Sequence, residues 1–107
     1  MSMDDVFRAL ADPVRRRLLD RLHERGRQTL SELSAGLEIT RQGVSKHLAI
    51  LEAANLVVAR KQGRERLHHL NPVPIQQVAD RWIGKYQRSA VQALTDLKQR
   101  LEGDQDD

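Results

Sequence analysis

The sequence predicts a mainly α-helical fold carrying one small β-hairpin, and three observations lead there. Apolar residues recur at helical spacing over most of the 107 residues. Helix-start and helix-stop residues punctuate that pattern at Asp12-Pro13, Gly26 and Thr40. Between residues 56 and 70 the pattern changes. Two short runs, Leu56-Val57-Val58-Ala59 and Leu67-His68-His69-Leu70, flank a polar connection with one glycine, Lys61-Gln62-Gly63-Arg64-Glu65, which reads as a hairpin.

The elements follow in order. Val6, Phe7 and Leu10 form a short first stripe. Asp12 can accept from orphan helical N–H groups and Pro13 suits the first helical position, so a second helix starts there. Val14, Leu18, Leu19 and Leu22 give its apolar face, and Gly26 stops it. Leu30, Leu33 and Leu37 mark a third, short helix capped by Thr29 or Ser31. Thr40 caps a fourth, whose buried face is Val44, Leu48 and Leu51. It ends at Ala53-Ala54-Asn55, where Asn tolerates a left-handed backbone. After the hairpin, Asn71-Pro72-Val73-Pro74 breaks the chain. Ile75, Val78, Trp82, Tyr86, Ala90, Leu94, Leu97 and Leu101 then step by three or four along one long helix, or two helices broken near Gly84. One domain is expected over residues 1–102, its last helix at about 72–102, followed by a disordered acidic tail at 103–107.

Composition narrows the chemistry. With no cysteine there is no disulfide, thiolate zinc site, iron–sulfur cluster or cysteine nucleophile. One Phe, one Trp and one Tyr make a base-stacking platform improbable. The formal net charge is +3, and without the three acids of the tail the balance is +6. Arg outnumbers Lys by 14 to 4, which suits bidentate contacts to phosphate and guanine and points to a polyanion partner. No apolar stretch approaches a membrane span or a signal peptide, so a cytoplasmic location is expected. Ser31, Ser34 and Ser45 lack a His–Asp pair at any recognisable spacing and no Gly-rich phosphate loop occurs, so no enzyme is expected.

The helix after Thr40 carries the functional signal. At about 100° per residue, the face opposite Val44, Leu48 and Leu51 holds Arg41, Gln42, Ser45, Lys46 and Ala49. These side chains are short or polar and none is acidic, which is what a helix lying in the DNA major groove requires. Gln pairs with adenine, Ser fits either base, Lys or Arg takes guanine or phosphate, and Ala49 keeps the face slim. Gly43, in the first turn, lets the backbone approach a phosphate at the positive end of the helix. At the hairpin, Arg60, Lys61, Arg64 and Arg66 face a single Glu65. These cations either straddle a phosphate backbone or protect a strand edge. His47 borders the core face, either half-buried and hydrogen-bonded or touching a phosphate. His68 and His69 are adjacent in a strand, point to opposite faces and cannot share an ion. No metal site or cofactor is expected.

Two short helices joined tightly and followed by a basic hairpin are the signature of a winged helix-turn-helix. The last helix has an apolar stripe too extended for one small core. It is expected to form a homodimer seam from Ile75, Val78, Trp82, Tyr86, Leu94 and Leu97 together with Val6, Phe7 and Leu10 of the first helix.

At Phe7–Leu19, Leu30-Ser31-Glu32-Leu33, Thr40–Leu48, Leu51–Val57 and Gly63-Arg64-Glu65-Arg66 the sequence resembles the ArsR (ArsR/SmtB) family of bacterial winged helix-turn-helix repressors, over roughly residues 3 to 95. The resemblance implies a dimer through the first and last helices, a recognition helix in the major groove, the hairpin as wing, and release of a pseudo-palindromic operator when an effector binds. Two departures stand out. Metal-sensing members carry a Cys-x-Cys pair where this chain has Thr29-Leu30-Ser31-Glu32-Leu33. Other members bind metal through Asp/His and His/Glu sets on the last helix, where this chain offers Asp80 and Asp96 but no histidine. The resemblance is therefore to the non-metal branch, answering to a small molecule or partner protein, or repressing its own operon. Two alternatives are a winged-helix protein-interaction adaptor, which would want apolar or acidic residues on the recognition face, and a metal-responsive repressor using only carboxylates and histidines.

Overall fold

A computed structural model describes residues 2–105. The chain falls into two compact units, one ending at Ile75 and one beginning at Gln76. The first contains α1 (Met3–Leu10), α2 (Pro13–Arg25), α3 (Leu30–Ser34), α4 (Arg41–Ala53), β1 (Val57–Gln62) and β2 (Glu65–Leu70). The short helix α5 (Val73–Val78) crosses the division and runs into a π-helical turn (Ala79–Ile83) and α6 (Gly84–Gln105).

Local chemistry sets each boundary in the first unit. The Asp12 carboxylate accepts the backbone N–H of Val14 and Arg15 at 2.8 and 3.3 Å, with Pro13 in the first turn of α2. Gly26 ends α2 at φ +76°. Thr29, not Ser31, caps α3: its hydroxyl accepts the Glu32 N–H and donates to the Glu32 carboxylate, both at 3.2 Å. That helix stops at Ser34, so Leu37, expected on its apolar stripe, lies in the turn leading to α4. The Thr40 hydroxyl accepts the Gly43 N–H at 3.0 Å and starts α4. Asn55 (φ +62°) ends it. The Leu56 N–H reaches the Leu51 carbonyl and the Asn55 N–H reaches Glu52, both at 2.9 Å, a Schellman closure with Leu51 and Leu56 both buried.

The core is one apolar cluster: Val6 and Ala9 from α1, Leu18, Leu19 and Leu22 from α2, Leu33 from α3, Val44, Leu48 and Leu51 from α4, then Ala54, Leu56 and Val57. Strands β1 and β2 pair antiparallel, from Val57 opposite Leu70 to Gln62 opposite Glu65, about a two-residue turn in which Gly63 takes φ +65°. Gln28 adds an isolated bridge to β2, exchanging backbone hydrogen bonds with His68 at 3.1 and 2.8 Å. Both residues are buried, and His68 Nδ1 donates to the Gln28 carbonyl at 3.1 Å.

Arginine side chains from α2 close the neighbouring helix ends. Arg15 donates from Nε to the Ala9 carbonyl at 2.7 Å and from Nη2 to Arg8 at 2.9 Å, and Arg16 Nη1 reaches Leu10 at 2.7 Å. The last turn of α1 leaves the Ala9 and Leu10 carbonyls without an intrahelical bond, and the Arg8 carbonyl also accepts the Ala11 N–H at 3.3 Å. Arg21 Nη1 likewise takes the carbonyls of Leu33, in the last turn of α3, and Ala35, just past it, at 2.8 and 2.6 Å.

In the second unit the helical backbone is continuous through Gly84 (φ −58°, ψ −43°), and the Gly84 N–H donates to the Ala79 carbonyl five residues back. α6 continues over Gly103 to Gln105, where the sequence suggested the start of an unstructured tail; Asp106 and Asp107 lie outside the described residues. Its apolar residues are exposed, from Leu97 at 50% to Leu94 at 67%. Among the described residues no helix is long and apolar enough to cross a membrane.

Candidate nucleic-acid interface

Helix α4 lies on the first unit with Val44, Leu48 and Leu51 inward. That rotation leaves Arg41, Gln42, Ser45, Lys46 and Ala49 exposed, the five positions the periodicity put on the outer face. Thr40 is exposed and holds the cap. Gly43 is half-buried; a Cβ there would lie 3.4 Å from the Thr40 hydroxyl, an ordinary contact distance, so the cap alone does not demand glycine. Ile50, which the helical pattern did not single out, is also 41% exposed.

His47 sits at the flank of this face, half-buried, with Nδ1 3.2 Å from Arg15 Nη1. Burial tends to raise the Asp12 carboxyl pKa. The Arg15 and Val14 N–H groups, with the Arg15 guanidinium, outweigh it and hold the group below its ordinary value of 3.8.

The hairpin divides its cations. In register, Lys61 stands opposite Arg66 on one face, Arg60 opposite Leu67 on the other, and Arg64 occupies the turn. All four are exposed, but Arg66 is engaged: its Nη2 lies 3.0 Å from Glu52 Oε1 on α4. No ion pair holds Arg60, Lys61 or Arg64 among the described residues. A groove of about 400 Å³ opens between α4 and β2, lined by Ser45, Ala49, Glu52, Arg66 and His68 among others. The arrangement is an acid-poor helix face beside a cationic hairpin, which fits a helix in a groove and a wing on the backbone.

Two residues that matter here escaped sequence reasoning. Glu52 is fourteen positions from Arg66, and nothing local links them. Arg15 carried a signal that went unused: a run of three arginines opening a helix opposes the helix dipole, so the run needs another reason to be there. The residues expected at a dimer seam are scattered. Val6 is 4% exposed and packs in this chain's own core. Phe7, Ile75, Tyr86, Leu94 and Leu97 are exposed, while Leu10, Val78 and Trp82 are half-buried. Arg81 stacks its guanidinium 5.2 Å from the Trp82 ring centre. Among the described residues no group of three His, Asp or Glu side chains stands together as a metal site.

Comparison with known proteins agrees with this geometry. A family described as helix-turn-helix domain matches residues 10–60. YuzN of Bacillus subtilis (strain 168), an uncharacterized HTH-type transcriptional regulator, is 41% identical over 77% of this chain and 96% of its own length. The transcriptional repressor SdpR of the same organism is 32% identical over 69% of this chain and 81% of its own length. Among solved structures, an ArsR family transcriptional regulator superposes with a TM-score of 0.69 at 35% identity, over 79% of this chain and 86% of that one. Fold, interface and relatives together place the chain in the ArsR family of winged helix-turn-helix proteins: it is a DNA-binding transcriptional regulator, not an enzyme.

Proposed function

We propose that the protein is a sequence-specific repressor that binds a pseudo-palindromic duplex as a homodimer in the cytoplasm. The observation that carries this reading is the exposed, acid-free face of Arg41, Gln42, Ser45, Lys46 and Ala49 on α4, beside wing cations Arg60, Lys61 and Arg64 that no carboxylate holds among the described residues. In it, Gln42 and Ser45 read base edges, Thr40, Arg41, Lys46 and His47 take backbone or base acceptors at the helix start, Gly43 lets the backbone come close to a phosphate, Ala49 lets the helix sit deep, and the wing grips phosphate. The similarity to SdpR, a transcriptional repressor, supports repression. The exposed Tyr86, Leu94, Leu97 and Leu101 on a helix about 33 Å long support a seam with a second copy, which would present two α4 helices to half-sites about 34 Å apart. The lack of cysteine supports an effector other than a thiolate-bound metal, such as a small molecule or partner protein, or simple autoregulation.

The test is a duplex enriched by the protein from a randomised pool, compared with a scrambled duplex by fluorescence anisotropy. Gln42→Ala should narrow the gap between the two. Arg64→Ala should weaken both alike and lower the salt slope by about one. Equal binding of enriched and scrambled duplexes by the intact protein defeats the specificity claim, and a monomer in analytical ultracentrifugation defeats the dimer. Zinc that changes duplex affinity would return the metal-responsive alternative.

A further inference from the structure

We infer that Arg15 fixes the tautomer of His47, keeping the proton on Nε2 and making the ring a neutral hydrogen-bond donor to a DNA backbone oxygen. The inference rests on the DNA-binding reading above and adds to it a positioning residue outside the recognition helix.

The argument begins with Arg15. Its Nε and Nη2 are both engaged, on the Ala9 and Arg8 carbonyls at 2.7 and 2.9 Å, so the guanidinium plane is pinned against the end of α1. The pinned fork sets Nη1 3.2 Å from His47 Nδ1. A guanidinium has five donors and no acceptor. The only hydrogen bond this pair can form is therefore Nη1–H to the Nδ1 lone pair. A neutral imidazole with a lone pair on Nδ1 carries its proton on Nε2.

Nε2 is then left as a donor. No residue of the described chain accepts from it, and the one buried, unpartnered side-chain atom among the described residues is Gln28 Oε1. Nε2 of the half-buried ring therefore reaches the surface. His47 lies one turn beyond Gly43, on the flank of α4 rather than the centre of its outer face. A single donor at the flank of a groove-binding helix meets phosphate oxygens, not base edges. Arg15 thereby joins α1, α2 and the DNA face of α4 through one side chain.

Two readouts test this. Long-range proton–nitrogen correlation spectra of the free protein at neutral pH report which ring nitrogen is protonated. The expected result is His47 as the Nε2–H tautomer, with Arg15→Met mixing the two forms; a wild-type ring protonated mainly on Nδ1 overturns the inference. The second readout compares two substitutions, binding to the enriched duplex being measured with folding checked by circular dichroism. His47→Gln places an amide donor near Nε2 and should keep affinity within about threefold. His47→Asn keeps an acceptor for Arg15 but loses the donor, and should weaken binding about tenfold, the loss expected for one hydrogen bond to a charged group. The reverse order, or equal affinities for the two variants, overturns it. Failure of the wild-type protein to prefer the enriched duplex instead sinks the DNA-binding reading, and the tautomer result stands apart from that.

Discussion

Replacing Glu52 by Gln tests how the wing is held before DNA arrives. Arg66 Nη2 lies 3.0 Å from Glu52 Oε1, with the two side chains 66% and 29% exposed. A pair that open to water contributes about 0.2–1 kcal/mol, so Glu52→Gln should cost less than about 1 kcal/mol of stability. Its effect on DNA should be larger. The substitution removes a carboxylate beside the exposed face of α4 and frees Arg66 for a phosphate. Each added phosphate contact steepens the dependence of log K on log salt by about 0.9. Over a rise from about 50 to about 200 mM salt that is a further loss of about 3.5-fold per protomer, on top of tighter binding at the low end. Anisotropy titrations of wild type, Glu52→Gln, Arg66→Ala and the double variant measure it. The gain should vanish in the double variant, because Arg66 carries it. An unchanged salt slope in Glu52→Gln would refute the claim that Glu52 competes with the DNA backbone for Arg66.

Other perturbations have equally definite outcomes. Leu51 is fully buried and closes the Schellman motif with Leu56, so Leu51→Ala should cost about 3 kcal/mol and lower Tm by roughly 12–20 °C in a thermal melt. Gly63 has open space around it but φ +65°, so Gly63→Ala should cost about 1 kcal/mol from backbone strain alone, measured by urea denaturation. Asp12 has a lowered pKa in the folded chain, so the unfolded chain binds more protons. Its stabilisation is complete above about pH 4 and is lost as pH falls through the lower folded value. Asp12→Asn should accordingly flatten the acid limb of stability against pH, and a limb of unchanged steepness would count against it.

The parts of the fold visible in the sequence are those written within a few residues. Asp12, Thr29 and Thr40 act on N–H groups two or three positions ahead, and Asn55 takes its left-handed backbone where an apolar stripe stops. The outer face of α4 was legible for the same reason, since a period of 3.6 turns three buried residues into five exposed ones. What stayed hidden depends on the chain folding back. The Gln28–His68 bridge spans forty residues and the Glu52–Arg66 pair fourteen. The arginine surplus read as a footprint of nucleic acid, yet Arg15, Arg16 and Arg21 serve the backbone carbonyls of helix ends. That Val6 packs in the chain's own core was not legible either, because a helical stripe says that a face is covered, not by what.

The widened turn at Ala79–Ile83 makes the second unit unusually forgiving of length change. Dropping a single residue there would let ordinary four-residue bonding resume. The internal bonding of α6 would survive intact, and its apolar edge from Tyr86 to Leu101 would keep nearly the same azimuth relative to Val78, because the widened turn already takes up the extra residue. A deletion at this point is thus a change of length without a change of aim, because the slack residue leaves and the hydrophobic edge stays where it was.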